Sequence, residues 1–289
     1  MLAGIESIPL NYTENDSATA VSSTLTVTDL DQLDLQSATV QISNNFGADE
    51  DQLVFIDQNG ISGSYDANTG ILSLTGAASI ADYEAALRSV AYENISENPV
   101  TNTRTVTYTV FDGTVSSNIE ARPINIFALN DAPTLATIET APAIYLENAA
   151  AVGITGNLSI GDVDDTLIES ATVTIGTNYV AAEDTLTFTD QSGIVGSYLN
   201  GTLTLTGSAT LAEYEAAIHS VGYVNSSADP TDLTRTIDIV VNDGDTYSNL
   251  LSRDIDVIPS NDPPVVSGIE LTDLAYQENS GPDLSLIHI

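Results

Sequence analysis

The side chains that could do chemistry here are carboxylates, and they come in a fixed order that occurs twice. Glu14, Asp29-Leu30-Asp31, Asp112-Gly113 and Asn130-Asp131 are followed by Glu147, Asp162-Val163-Asp164, Asp243-Gly244 and Asn261-Asp262. Hard oxygen donors suit calcium, which takes six to eight oxygen ligands and so needs several loops to converge. A single Asp in a loop is accounted for by turn formation alone, through Asx hydrogen bonds and tolerance of left-handed backbone. An ordered set that returns, with proline after each Asn-Asp in Asn130-Asp131-Ala132-Pro133 and Asn261-Asp262-Pro263-Pro264, asks for metal ligation instead. Asp112 and Asp243, each followed by glycine, are the members most easily explained as turn residues.

Other chemistries fit poorly, and no catalytic residue is expected. Asp29 and Asp31 lie two residues apart at a strand edge and project to one side a few ångströms apart, which suits one cation better than a scissile glycosidic bond. There is no cysteine nucleophile, and His219 is matched by Arg88 in the sister repeat, so a Ser-His-Asp triad has no basis. Absence of Trp argues against a sugar platform, although 12 Tyr leave room for one. The Asn-X-Ser/Thr triplets, such as Asn94-Ile95-Ser96, are what a chain rich in these residues produces by chance.

Charge narrows the partners. Forty-one acidic residues face five arginines and no lysine, a formal charge of -36. Nucleic acid is excluded as a partner, because phosphate binding needs a basic surface. The excess repels itself and weakens the compact state unless divalent cations or high salt neutralise it. Arg104 with Arg235, and Arg122 with Arg253, stand at repeat-equivalent positions, where each guanidinium is expected to pair with a carboxylate at a strand margin. No apolar run is long enough to span a bilayer, so no membrane span is expected in this piece.

These residues are positioned by a repeat of domain size. Tyr12-Thr13-Glu14-Asn15 returns as Tyr145-Leu146-Glu147-Asn148 at an offset of 133, and Asn130-Asp131 returns as Asn261-Asp262 at an offset of 131; a two-residue deletion near Asn200 reconciles them. The expected domains are 1–133 and 134–264, with 265–283 opening a third copy at Tyr276-Gln277-Glu278-Asn279. Residues 284–289 match no repeat, resemble a translated sequencing adapter, and are set aside. The chain reads as a piece of a longer array, with Met1 an internal position.

Within a repeat, Thr24 to Asp29, Thr39 to Ser43 and Arg104 to Val110 alternate apolar and polar residues with the period of a half-buried strand. Leu53 to Ile56 and Ile71 to Leu74 add strands separated by Gly60, Gly63 and an Asn68-Thr69-Gly70 turn. Short strands at close spacing predict an all-β sandwich. Ala78 to Val90 departs from it, placing Ile80, Tyr83, Leu87 and Val90 at helical spacing, and Ala209 to Val221 repeats the pattern. One short helix per repeat, lying as a lid over the core, is expected.

Glu-Asn, Asp-X-Asp and Asn-Asp-X-Pro in this order resemble the cadherin-like repeats of very large bacterial surface adhesins and RTX-type proteins, and the resemblance covers both complete repeats. The helix-containing stretch is similar to bacterial repeats related to chondroitin sulfate proteoglycan modules. The resemblance implies tandem Greek-key sandwiches, extracellular, with calcium at each junction: Glu14, Asp112, Asn130, Asp131, Asp162 and Asp164 at the intact one, and Asp29, Asp31, Glu147, Asp243, Asn261 and Asp262 in the equivalent roles. No Asp-Arg-Glu element of the animal cadherins occurs, since Leu74-Thr75-Gly76 and the helix occupy that stretch, so fewer ions per junction are expected. The function implied is a calcium-stiffened rod that projects or mediates cell adhesion, its partners being neighbouring repeats and a cell-surface glycan or protein. Two rivals stay open: a sandwich that itself grips a glycan or a like repeat, and a spacer within a secreted hydrolase.

Overall fold

The computed structural model describes residues 1–267; Tyr276–Asn279 and residues 284–289, singled out above, lie outside the described residues. The chain divides into two compact units. The first comprises Met1–Thr134 together with Gly161–Ile168 and Asn242–Ser248, and the second Leu135–Ile160, Glu169–Val241 and the chain from Asn249. Two loops of the second sequence repeat thus belong, by their contacts, to the first unit.

The fold is all-β with two short helices. In the first repeat a six-stranded sheet runs in the order Leu10–Thr13, Glu120–Phe127, Arg104–Phe111, Asp34–Asn44, Ile71–Ser79, Ser62–Asp66. A three-stranded sheet, Thr19–Ala20, Ala91–Asn94, Asp51–Val54, accompanies it. The chain crosses between the sheets from Asp34–Asn44 to Asp51–Val54 and back to Ser62–Asp66, and again from Ile71–Ser79 to Ala91–Asn94 and back to Arg104–Phe111, the Greek-key habit of sandwiches. The period-2 pattern is obeyed: Val106, Tyr108 and Val110 from one strand and Val40 and Ile42 from its neighbour are buried, while the residues between them face outward. Only Thr26–Val27 of the expected Thr24–Asp29 strand is paired, with Leu2–Ala3. Leu10–Thr13 runs parallel to Glu120–Phe127, with Thr13 opposite Phe127, which brings the ends of these two strands of the six-stranded sheet together.

The second repeat has the same plan: Ala143–Leu146, Leu251–Ile258, Arg235–Asn242, Leu167–Thr177, Thr202–Thr210, Val195–Leu199 in one sheet and Val152–Gly153, Gly222–Asn225, Asp184–Thr187 in the other. Here too the six-stranded sheet pairs its edge strand Ala143–Leu146 parallel to Leu251–Ile258.

The helices span Ile80–Ser89 and Leu211–His219. Each begins on a hydroxyl cap: Ser79 accepts from Asp82 N, and Thr210 forms a reciprocal capping box with Glu213. Tyr83, Ala86 and Leu87 face the core, as do Tyr214, Ala217 and Ile218. The Tyr83 hydroxyl donates to Gly76 O at 2.6 Å and Tyr214 to Gly207 O at 2.7 Å. Gly76 has φ +137°, and a Cβ there would fall 2.2 Å from Gly60 O, so this anchor needs glycine. The tyrosine stripe therefore closes the core, which accounts for it fully. Among the described residues no helix is long and apolar enough to cross a membrane.

Candidate metal centre

The parallel pairing of Leu10–Thr13 with Glu120–Phe127 determines where Glu14 sits. Glu14 N donates to Phe127 O at 2.8 Å, continuing the ladder, and Asn15 then takes φ 66°, a left-handed conformation that Asn tolerates and most residues do not. The chain turns away and leaves the Glu14 carboxylate, 3 % exposed, under the start of the linker. Its Oε2 accepts Leu129 N at 2.7 Å. Asn148, with φ 61°, and Glu147, whose Oε2 accepts Ser260 N at 2.6 Å, repeat the device in the second unit. The Asn of each Glu-Asn pair is thus a backbone requirement rather than a ligand.

Linker and loops complete a cluster that lies wholly within the first compact unit. Asn130 Nδ2 donates to Asp243 Oδ2 at 3.0 Å and to Thr246 Oγ1 at 2.7 Å. Asp131 N donates to Asp164 Oδ2 at 3.2 Å. Asp162 Oδ1 accepts from the amides of Asp164 and Asp165, the Asx turn that Asp-X-Asp favours. Glu97, which the repeated acidic pattern does not include, joins from the loop after Ala91–Asn94: carboxylate oxygens of Glu14, Glu97 and Asp131 lie within 4.8 Å of one another. The loop is held from below. Arg104 donates to Val100 O and Asn102 O at 2.6 Å each and pairs with Glu50 at 3.0 Å and Asp51 at 2.9 Å. Asp51 in turn accepts Tyr92 Oη at 2.5 Å and Asn94 Nδ2 at 3.0 Å. The expected pairing of Arg104 with a carboxylate holds, but in the interior, at 1 % exposure. Arg235, Asp184, Tyr223 and Asn225 form the twin network.

Six buried side-chain polar atoms among the described residues have no hydrogen-bond partner, and four of them are oxygens of this cluster: Glu14 Oε1, Asp131 Oδ2, Asp162 Oδ2 and Asp164 Oδ1. Buried polar atoms are normally satisfied, and buried like charges repel. Burial, then the charges of Asp131, Glu97 and Asp164, push the Glu14 carboxyl up. Burial, then Asp164 and Glu97, do the same to Asp131. Asp162 is raised mainly by burial, and Asp165 by burial and by Asp164, Asp243 and Asp245. Burial acts upward on Asp243 as well, but hydrogen bonds from Thr246 N, Asn130 and Asp245 N outweigh it and hold this carboxyl low. Converging oxygens that face one another without donors are what a hard divalent cation satisfies, and the donor set fits calcium.

Not every candidate is here. Asp112 lies with Asp29 and Asp31: it helps to push the Asp31 carboxyl up, chiefly a consequence of the hydrogen bond and charge of Asp29, and lines a cleft with Asp29. The junction set carried over from the resemblance is corrected on this point, since Asp243 takes the place beside Asn130. The reason is topological. Asp112 precedes Glu120–Phe127 and Asn130 follows it, so eight residues of strand, ~26 Å, separate them. Glu147, Asn261 and Asp262 belong to the second unit, where Asn261 Nδ2 donates to Asp262 O at 3.3 Å, as Asn130 Nδ2 does to Asp131 O at 2.8 Å.

No family model matches the chain. A curated relative, Halomucin of Haloquadratum walsbyi, is 30% identical over 140 residues, which is 46% of this chain and 2% of that protein. Among solved structures, mouse Cadherin-23 EC22-24 is matched over 86% of this chain and 63% of its own with 11% identity and a TM-score of 0.32. Protocadherin Gamma B2 extracellular cadherin domains 1-5 is matched over 89% and 39% with 16% identity and a TM-score of 0.30. The fold rests on the strand pairing described above, and these likenesses say nothing of activity.

Proposed function

We propose that the chain is a non-enzymatic, extracellular, calcium-binding repeat region of a bacterial adhesin of the RTX or chondroitin sulfate proteoglycan-like kind, with sequence repeats 1–133 and 134–264 as its domains. The observation that carries this is the set of four buried carboxylate oxygens without donors, on Glu14, Asp131, Asp162 and Asp164. Calcium would be held by these residues with Glu97, and Asn130 and Asp243 would hold linker and loop in register through their hydrogen bond. The ion neutralises repulsion in a chain of charge -36 and fixes linker 129–133 against the Asp162–Asp165 loop, so that the repeats form a stiff rod able to carry a distal adhesive domain.

Isothermal calorimetry and thermal melts test it. Calcium bound only by the native state adds about 2.7 kcal/mol of stability at a hundredfold excess over Kd. An unchanged melt in millimolar calcium and in chelator, at equal ionic strength, removes the reading.

A further inference from the structure

Ala143–Leu146 is an edge strand of the second repeat's six-stranded sheet. Glu147 N donates to Ile258 O, and the parallel ladder alternates from there, so the backbone groups of Ala143 and Tyr145 face Leu251–Ile258 while those of Ile144 and Leu146 face away. Among the described residues only Leu146 O finds a partner on that side, Ala149 N at 3.0 Å, which leaves Ile144 N, Ile144 O and Leu146 N open. The side chains of Ile144 and Leu146 are 58% and 55% exposed, and Ile258, opposite Leu146, is exposed beside them. The equivalent edge of the first repeat is closed. There Thr13 N, the counterpart of Leu146 N, donates to Asp16 Oδ2 at 2.9 Å, which caps the donor and puts a charge on the edge. Charged side chains of this kind keep sheet edges from pairing. At the offset of 133, Asn11, Thr13 and Asp16 are replaced by Ile144, Leu146 and Ala149. All three replacements are exposed, so core packing does not account for the exchange.

We infer that the Ala143–Leu146 edge pairs antiparallel with the same edge of a second copy, giving a side-by-side dimer that needs no metal. The strip is self-complementary. With Tyr145 on the twofold axis, Ile144 of one copy exchanges both backbone hydrogen bonds with Leu146 of the other, and their apolar side chains become cross-strand neighbours. Charge selects this occupant. Two chains of charge -36 repel unless they meet along a line free of carboxylates, and no charged side chain lies between Ala141 and Leu146. Asp256, opposite Ile144 on the neighbouring strand, is engaged by Thr234 Oγ1 at 2.8 Å. A basic partner would be drawn to the carboxylates elsewhere on the surface and gain nothing from a neutral strip. Pro142, which has no amide donor, and Asn148, whose φ of 61° turns the chain away, bound the pairing at its two ends. The contact is therefore short and weak, and it forms only where salt screens the net charge.

Sedimentation velocity and amide hydrogen exchange by NMR test this on the full chain, in chelator and about 1 M KCl, where the Debye length is about 3 Å. The natural chain should pass from monomer to dimer as concentration rises and stop there, because a twofold contact uses up the edge. The amides of Ile144 and Leu146 should exchange fast in the monomer and slowly in the dimer. Ala149→Asp, which gives this edge the cap that Asp16 gives the first repeat, should raise the dimer Kd by at least about tenfold. Ile144→Asn with Leu146→Thr should do the same. Both variants import residues that the sister repeat carries at these positions, and a monomer melt matching that of the natural chain checks that they fold. A chain that stays monomeric overturns self-pairing, as does one that associates only in calcium. Growth beyond the dimer, fast exchange of Ile144 and Leu146 within it, or dimerisation that Ala149→Asp leaves unchanged overturns it equally.

Discussion

Asp162→Asn combined with Asp164→Asn should reverse the order of stability between chelator and calcium. Asn keeps the acceptors that the fold uses: Asp162 Oδ1 caps the amides of Asp164 and Asp165, and Asp164 Oδ2 receives Asp131 N. What is lost is two negative charges facing Glu14 and Asp131. Carboxylates 4.8 Å apart, as in the neighbouring Glu14–Glu97–Asp131 set, repel by about 3 kcal/mol at an effective dielectric of about 20, and by about 1 kcal/mol where water reaches them. In chelator the variant should therefore be more stable than the natural chain by about 1–3 kcal/mol, a rise of about 3–10 °C in the transition of a domain this size. In calcium the natural chain gains about 2.7 kcal/mol at a hundredfold excess over Kd and the variant gains almost nothing. Differential scanning calorimetry at equal ionic strength reads both arms. Asp29→Asn with Asp31→Asn provides the control and should leave the tight site intact, because those carboxylates lie outside the cluster. A variant less stable in chelator would mean that the carboxylates hold the loops by hydrogen bonding alone. Equal loss of calcium affinity in the two double variants would place a metal site inside each repeat.

Three further outcomes follow from the same geometry. Glu97→Ala should weaken calcium about tenfold in a calorimetric titration, with no loss of stability in chelator, since Glu97 is exposed and only its charge serves the cluster. Arg104→Leu strands the buried Asp51 carboxylate and should cost about 3–5 kcal/mol in denaturant unfolding of the first repeat, a cost below 1 kcal/mol being inconsistent with the network. Glu6, despite burial that acts upward, is held down to about 2 by hydrogen bonds from the Ser22 hydroxyl and the Ser23 amide and hydroxyl. Its folded value lies below its unfolded one, so its contribution of about 2 kcal/mol, discounted for partial exposure, is present above pH 4.5 and fades as pH falls toward 2. Glu6→Gln should flatten that acid limb, which an unchanged slope would contradict.

The strands, helices and repeat were legible because burial imposes their periods: Val106, Tyr108 and Val110 alternate, and Tyr83 and Leu87 are one helical turn apart. The acidic elements were legible as an ordered set, but not their grouping. The resemblance groups Asp112 with Glu14, although the strand Glu120–Phe127 between Asp112 and the linker separates them. Glu97 carries no such signal, because it does not return: its counterpart is Ala228. Asp51 does return, as Asp184, yet nothing in its neighbourhood distinguishes a buried partner of arginine from another surface acid; that depends on Tyr92, Asn94 and Arg104, far apart in the chain.

The parallel pairing of Leu10–Thr13 with Glu120–Phe127 has a mechanical consequence. Tension entering at the start of one strand and leaving from the end of the other pulls the two in opposite directions along their length. The hydrogen bonds between them are then loaded together in shear, whereas an antiparallel terminal pair would open one bond at a time. The short Leu2–Ala3 pairing with Thr26–Val27 stands outside this clamp and would give way first, lengthening the chain before the load reaches Leu10. Because Glu14 and Leu129 directly follow the clamped strands, a cation bound at Glu14 sits at the end of that shear joint and resists the same displacement.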